Sequence, residues 1–413
     1  MHTKLISHFF AKPVLVFMVF FVACTTVYSL GLLRVNSILW GDTRYYYAYT
    51  RSLVMDRDLQ FENEAYRPEV GFPHLPQVSE VTGRVTNKFS PGAPLLWIPA
   101  FLMGQLLSYL LMITGLPAIT DGYGWWTQYL TAIGTVAFSV GGLYLIFLVI
   151  KERFSTVIAW WTTAFVVLAT QMLYYTAVDP LNSHSASFLL SAALLWGTNK
   201  YLGGRTSLSW ITFLGALGGV LSLIRNQDAV LLIPLGILLL VQPGTVWQRA
   251  LRSLSLGLSW LAVISIQGLT TLYLYGQLNS PYLIQGEQIS WLRPDFWRVL
   301  FTLENGILFF APGLVLCLEG LRVALRQRKT LASLAVGVFL LQLYVVAAWS
   351  PEIIGGPYGS RMFISTLPWL AVGLGYLLQS KSVKNIPKWI YLGILGVLLL
   401  NNLLQTLYML ARF

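Results

Sequence analysis

The stretch GAPLLWIPAFLMGQLLSYLLMITG, residues 92–115, decides how the chain is threaded. It is apolar and long enough to cross a bilayer, for which about 20 residues suffice. Yet Pro94 and Pro99 stand in its first two turns, where proline disturbs the helical ladder. If the stretch crosses, every later loop changes side.

Working outward, comparable apolar runs recur from end to end. They are Pro13–Leu33, Gly92–Gly115, Thr127–Ile150, Ser155–Tyr175, Ser183–Tyr201, Ser207–Ile224, Ala229–Val241, Ser253–Tyr275, Gly306–Leu321, Leu331–Trp349, Met362–Leu378 and Ile390–Leu410. The chain has 413 residues, of which 56% are hydrophobic and only 10% charged. Its mean hydropathy is +0.66. Soluble domains carry about 25% charged residues. The composition predicts an all-α polytopic membrane protein, a single integral membrane domain over residues 1–413 with no separate soluble domain.

The charges arbitrate the threading. Lys4 and Lys12 place the N-terminus inside. If every run crosses, Lys151, Arg153 and the group Arg322 to Lys329 then fall outside, against the usual bias of basic residues toward the inside. Holding Gly92–Gly115 out of the count removes the conflict. The inside loops become Lys4/Lys12, Lys151/Arg153, Lys200/Arg205, Arg249/Arg252, Arg322 to Lys329, and Lys381/Lys384/Lys388. The acidic residues Asp42, Asp56, Asp58, Glu62, Glu64, Asp121, Asp179, Glu287, Asp295, Glu304 and Glu352 lie outside. The pattern predicts about 11 spans, N-terminus inside and C-terminus outside. Gly92–Gly115 then lies in the interface or re-enters from outside. In the alternative it spans, and either Ser207–Ile224 or Ala229–Val241 fails to cross; that leaves Lys151 and Arg153 on the wrong side.

Residues 34–126 thus form one long first extracytoplasmic loop. It holds Asp42, a surface helix through Tyr45–Met55, a polar stretch with Pro68, Pro73 and Pro76, and the membrane-hugging 92–115 segment. Arg44, Arg51 and Arg57 lie outside against the bias and are expected to bind an anion.

Several classes are excluded. The net charge of +11 resides mostly in short loops, where it sets topology and touches anionic headgroups, so nucleic acid is not an expected partner. Cys24 and Cys317 lie inside apolar runs, which indicates neither a disulfide framework nor a metal knuckle. Pro13–Leu33 is too long for a signal-peptide core and no small-residue cleavage site follows it, so it reads as an uncleaved span. No Walker A loop, GxGxxG fingerprint or HExxH is present.

The outer features that could carry chemistry are few. LWGDTRYYYAYTRSLVMDRDL (Leu39–Leu59) puts Asp42 just beyond the first span, where a carboxylate is costly to keep and so a functional candidate. The others are NKFSPGAPLLWIP (Asn87–Pro99), IRNQD (Ile224–Asp228), VDPLNSHS (Val178–Ser185) and GGPYGSR (Gly355–Arg361). Gly41-Asp42 with Tyr45–Tyr47, then Lys88-Phe89-Ser90-Pro91-Gly92-Ala93-Pro94-Leu95, Ser183-His184 and Tyr358-Gly359-Ser360-Arg361, together resemble motifs of the GT-C membrane glycosyltransferases. The resemblance is to the bacterial branch related to protein O-mannosyltransferases, the aminoarabinose transferase of lipid A and rhizobial core-sugar transferases. It covers most of the first 230 residues and is looser beyond, apart from the Tyr-Gly-Ser-Arg motif.

That resemblance implies a cell-envelope enzyme of glycan biosynthesis whose donor is a sugar on a polyprenyl phosphate, delivered among membrane lipids. The acceptor is a lipid, glycan or protein on the extracytoplasmic face. A carboxylate deprotonates the acceptor hydroxyl, which attacks and inverts the anomeric carbon. The departing lipid phosphate needs cationic stabilisation. By the motif match Asp42 is the base. Lys88, Arg225 and Arg361 are the donor phosphate-binding candidates. Tyr45, Tyr46, Asp179, His184 and Tyr358 are the substrate-binding candidates.

Plainer roles stay open at each position. Asp42 could cap the helix beginning near Thr43 or form an ion pair. Lys88 could snorkel to the interface. His184 could cap its span, and Arg225 could salt-bridge Asp228. The tyrosines could be interface anchors. Asp56-Arg57-Asp58 mimics a DxD metal motif but reads better as the start of a loop; no metal site is assigned, and a divalent metal stays open. Glu287 and Glu304 receive no role. The competing function is a transporter or flippase of lipid-linked saccharides, which would set charges within broken spans arranged in repeated halves. The charges here cluster in outer loops and no repeat is found, which favours the enzyme. The extreme apolarity and lack of disulfides suit a bacterial inner membrane.

Overall fold

The computed structural model describes residues 12–35, 37–68, 70–304, 306–349, 358–380 and 388–412. Lys4, Lys381, Lys384, Glu352 and the Gly355–Pro357 part of the GGPYGSR loop lie outside the described residues. The major helices are α1 (Pro13–Val35), α2 (Thr43–Arg51), α3 (Gly92–Ile113), α4 (Trp125–Arg153), α5 (Thr156–Leu168), α6 (Ser183–Leu202), α7 (Leu208–Ile224), α8 (Ile233–Val241), α9 (Val246–Tyr275), α10 (Leu314–Arg326), α11 (Thr330–Ala348), α12 (Leu367–Gln379) and α13 (Lys388–Arg412). Among the described residues there is no strand, only isolated bridges between Val78 and Val85 and between Ile289 and Trp349.

The chain is an integral membrane protein. Among the described residues six helices are long and apolar enough to cross: α1, α3, α4, α9, α11, and α12 with the 3-10 turn Arg361–Thr366 before it. Shorter apolar helices occupy Thr156–Leu168, Leu208–Ile224 and Asn226–Val241.

Helix starts follow local chemistry. The side chains of Ser155, Asn182, Ser207 and Thr245 accept the first-turn backbone N–H groups of Ile158, His184, Trp210 and Gln248, which have no partner within the helix. Besides Met362–Leu378, which opens in the 3-10 turn Arg361–Thr366, three expected runs are not continuous α-helices. The Ser155–Tyr175 run breaks after Leu168 and resumes at Met172. Asn402 Nδ2 donates to the freed carbonyls of Leu168 and Thr170 at 2.9 and 2.8 Å. Backbone carbonyls buried at such a break need partners of this kind. The Gly306–Leu321 run forms a single helical turn, Ile307–Phe310, breaks at Pro312 and resumes as a helix from Leu314. The Ala229–Val241 run opens as a 3-10 turn, Asn226–Leu232, before Pro234 starts α8.

Helix α4 is the central post. Phe17 of α1 meets Tyr144 and Phe147 edge-on, and Ser29 bonds Tyr129 at 2.7 Å, so the two helices run antiparallel. The C-terminal ends of α4 and α6 lie together: Arg153 Nε donates to Asn199 Oδ1 at 2.5 Å, and Lys200 pairs with Glu152. His184, at the opposite end of α6, faces Arg225 at the end of α7. Lys151, Arg153 and Lys200 thus share one end of the bundle, and the site residues share the other.

Helix α3 packs toward the site end. Its first residue, Gly92, lies against the backbone of Leu223 and Ile224, where a Cβ would overlap. Its second half lies against the start of α4: Ser108 Oγ is 3.3 Å from Thr127 Oγ1, which donates to Gln105 Oε1 at 3.1 Å.

Candidate active site

Asp42 closes the turn into α2. Gly41 before it takes φ +51°, a left-handed conformation that favours glycine. Asp42 has helical backbone angles, and its side chain makes no cap bond. Its Oδ2 instead accepts Arg361 Nη2 at 2.8 Å. Of the plainer roles for Asp42, the ion pair is present and the cap is not. Thr43 Oγ1 donates to Leu181 O at 2.6 Å, which ties α2 to the 178–182 loop.

This carboxylate opens onto a cavity of about 440 Å³, a volume typical of ligand sites. Of the expected residues Asp42, Tyr45, Tyr46, Lys88, His184, Arg225 and Arg361 line it. Their elements are scattered along the chain. Asn87 Nδ2 donates to Tyr45 O at 2.8 Å and Asn87 Oδ1 accepts Phe89 N at 3.2 Å, which sets the Lys88 loop against α2. Ser90 Oγ donates to Asn226 Oδ1 at 3.2 Å, joining that loop to the end of α7. The rings of Tyr45 and Tyr46 pack on Phe89 at 5.1 and 4.8 Å.

Asp179 and Tyr358 are not in the wall. Tyr358 is fully buried, stacks on Tyr174 at 4.8 Å and bonds Asn402. Asp179 is buried behind the wall, and burial pushes its carboxyl up to about 7 although Arg361 opposes the shift.

The three cations are held differently. Arg361 pairs with Asp42. Lys88 Nζ is 3.0 Å from Glu287 Oε1, and Glu287 Oε2 accepts Trp349 Nε1 at 3.0 Å. Arg225 Nη1 reaches His184 Nδ1 at 2.7 Å and Ser183 Oγ at 3.3 Å. An arginine only donates, so the imidazole nitrogen that faces it accepts. The salt bridge from Arg225 to Asp228 does not form. Asp228 instead accepts from Ser187, Ser365 and Gln342. Arg225 takes part in no ion pair among the described residues.

Glu287 escaped the sequence reading because its partner Lys88 lies 199 residues away. Asn226 and Gln227 of the IRNQD stretch also line the cavity, as do Tyr282, His74 and Trp349, which carry no local signal.

Arg44 and Arg51, expected to bind an anion, hold protein groups. Arg51 pairs with Asp56 and with Glu64 at 2.8 Å. Arg44 donates to the carbonyls of Leu39 and Gly71 at 3.2 and 3.1 Å. The carboxylates of the DxD-like stretch are likewise engaged: Asp56 accepts Asn63 Nδ2 at 2.7 Å and Asp58 accepts Ser52 Oγ at 2.8 Å. Among the described residues no group of three His, Cys, Asp or Glu side chains could hold a metal ion.

No family model matches the chain, and no curated protein matches it in sequence. Solved structures match in fold alone, and that fold is GT-C-like. The chain is similar to the apo crystal structure of ArnT from Cupriavidus metallidurans, at 13% identity and TM-score 0.53, covering 94% of this chain and 63% of that one. The same protein bound to undecaprenyl phosphate matches at 14% identity and TM-score 0.50, covering 90% and 60%. The oligosaccharyltransferase AglB from Archaeoglobus fulgidus, in complex with an inhibitory peptide and a dolichol-phosphate, matches at 12% identity and TM-score 0.51, covering 95% and 55%. The chain thus spans less than two thirds of the length of each.

Proposed function

We propose that the chain is a glycosyltransferase that takes a sugar from a polyprenyl-phosphate donor and transfers it, with inversion, to a lipid, glycan or protein acceptor. The observation that carries this reading is the cavity itself. Two wall carboxylates, Asp42 and Glu287, share it with Lys88, Arg225 and Arg361, and Arg225 has no carboxylate partner among the described residues. Solved structures of the same fold with undecaprenyl phosphate and dolichol-phosphate support a lipid phosphate as the donor half.

In this scheme the acceptor hydroxyl gives its proton to Asp42 as its oxygen bonds the anomeric carbon. The bond from that carbon to the phosphate oxygen breaks, and the electron pair leaves with the polyprenyl phosphate. Arg225 faces the growing charge, with Lys88 and Arg361 alongside. Tyr45 and Tyr46 offer ring faces to the sugar, and His184 holds Arg225.

The site lies on the extracytoplasmic side of a bacterial inner membrane in this reading, with about 11 spans and Gly92–Ile113 kept on that side. The contacts of Gly92 with the site end of α7, and of Ser108 with the start of α4, support that placement. Asp179 and Tyr358 act from behind the wall.

The test is turnover by the purified full chain. It is supplied with synthetic undecaprenyl-phosphate sugars of differing headgroup, and release of undecaprenyl phosphate is followed. The reading expects release with at least one headgroup and an acceptor extract. No release from any, together with donor translocation in proteoliposomes, would replace the transferase with a transporter.

A further inference from the structure

We infer that Asp228 is a positioning residue for this site: its carboxylate binds together the elements that carry His184, Arg225 and Arg361. The inference rests on the transferase reading above. Asp228 Oδ2 accepts Ser187 Oγ, while Oδ1 accepts Ser365 Oγ at 2.8 Å and Gln342 Nε2 at 3.3 Å. Ser187 lies one helical turn beyond His184 on α6. Ser365 lies one turn beyond Arg361 in the 3-10 turn before α12. Asp228 itself follows Arg225 by one turn of the segment that leaves α7. Ser187 and Asp228 thus lie three residues from His184 and Arg225, and Ser365 four residues from Arg361, so each bond is made within about one turn of a site side chain.

All these groups are buried, and Asp228 is not in the cavity wall. It therefore acts through other residues and not on substrate. A buried carboxylate is costly unless its lone pairs are filled. An ionised carboxylate only accepts, so two oxygens take all three donors at once. A shift of any one element breaks a bond to a desolvated charge, which costs more than an ordinary hydrogen bond. Gln342 adds α11 to the knot and also donates to Met362 O at 2.9 Å, beside Arg361. Gln227 Nε2 reaches the same carbonyl at 3.3 Å. The floor of the cavity is thereby fixed from α6, α7, α11 and the approach to α12.

The test uses the full chain with histidine-selective isotope labelling. The sequence has only four histidines, and His184→Gln assigns the site signal. Asp228→Ala is expected to move the His184 ring resonance and to weaken undecaprenyl phosphate binding at least ~10-fold, with transfer falling by up to about 10²-fold, the scale of a small misplacement. Asp228→Asn is expected to fall between. In an Arg225→Ala background, Asp228→Ala should cost binding little more, because coupled residues do not add. Should Asp228→Ala fail to fold, Asp228→Asn and Ser365→Ala are read by the same signals. An unmoved His184 resonance and unchanged affinity in these variants, whatever their melting temperature, overturn the positioning role. A wild-type chain that binds no undecaprenyl phosphate overturns the donor reading instead, and the His184 resonance alone then decides the role of Asp228.

Discussion

Arg225 is the cation with the least internal compensation. It leans on a neutral imidazole and a hydroxyl, whereas Lys88 and Arg361 each face a carboxylate. Charge-assisted hydrogen bonds contribute roughly 1.5–3 kcal/mol. Arg225→Ala should therefore weaken undecaprenyl phosphate binding by about 10-fold or more. Arg225→Lys should recover only part, because an ammonium lacks the planar fork. Equal affinity in both variants and wild type would remove Arg225 from the phosphate site. Asp179 gives a pH test. Burial raises its carboxyl from 3.8 to about 7 in the fold. The folded state then binds the proton more tightly than the unfolded state. Its stability contribution is complete below about pH 4 and is lost as pH rises through about 7. Asp179→Asn should raise the melting temperature at pH 8 and give no such gain at pH 4. An equal shift at both pH values would contradict the buried-carboxyl account.

At the scale of elements, α3 bears on the site through its first residue. A side chain at Gly92 would overlap the backbone of Leu223 and Ile224, next to Arg225. Gly92→Val should cost about 1–3 kcal/mol of stability, the usual scale of overpacking, and should weaken donor binding as well. A variant that melts early but binds the donor normally would uncouple α3 from the site. The segment from Tyr282 to Glu287 covers the cavity from another side and holds Lys88. If Glu287 competes with phosphate for Lys88, Glu287→Gln should lower the donor KM by about 2–5-fold, the scale of a partly exposed pair, with kcat little changed. A rise in KM would show instead that Glu287 binds substrate. The sequence made the apolar helices legible and singled out Asp42, Lys88 and Arg361, which line one cavity, because hydrophobic runs and loop motifs are local signals. It did not reveal Glu287 opposite Lys88, Asp228 beneath the site, or the break after Leu168. Each depends on a partner from a distant segment: Lys88, Ser365 and Asn402 respectively.

For the whole molecule, the bundle puts Lys151 and Lys200 at one end and Asp42, Arg225 and Arg361 at the other. Native Cys24 and Cys317 are buried, so engineered cysteines report against a low background. Asp121→Cys should react with an impermeant reagent from outside intact cells, and Lys151→Cys only after permeabilisation. Labelling of position 121 from the inside would overturn the proposed threading around Gly92–Ile113. The central claim is that Asp42 removes the acceptor proton in a transfer from a lipid phosphate. Its most direct test is Asp42→Asn in the purified full chain, with a turned-over undecaprenyl-phosphate sugar as donor. A general base contributes about 10²–10⁴ in rate, so transfer should fall by that factor while undecaprenyl phosphate binding persists. Transfer surviving within about 10-fold of wild type would contradict the assignment.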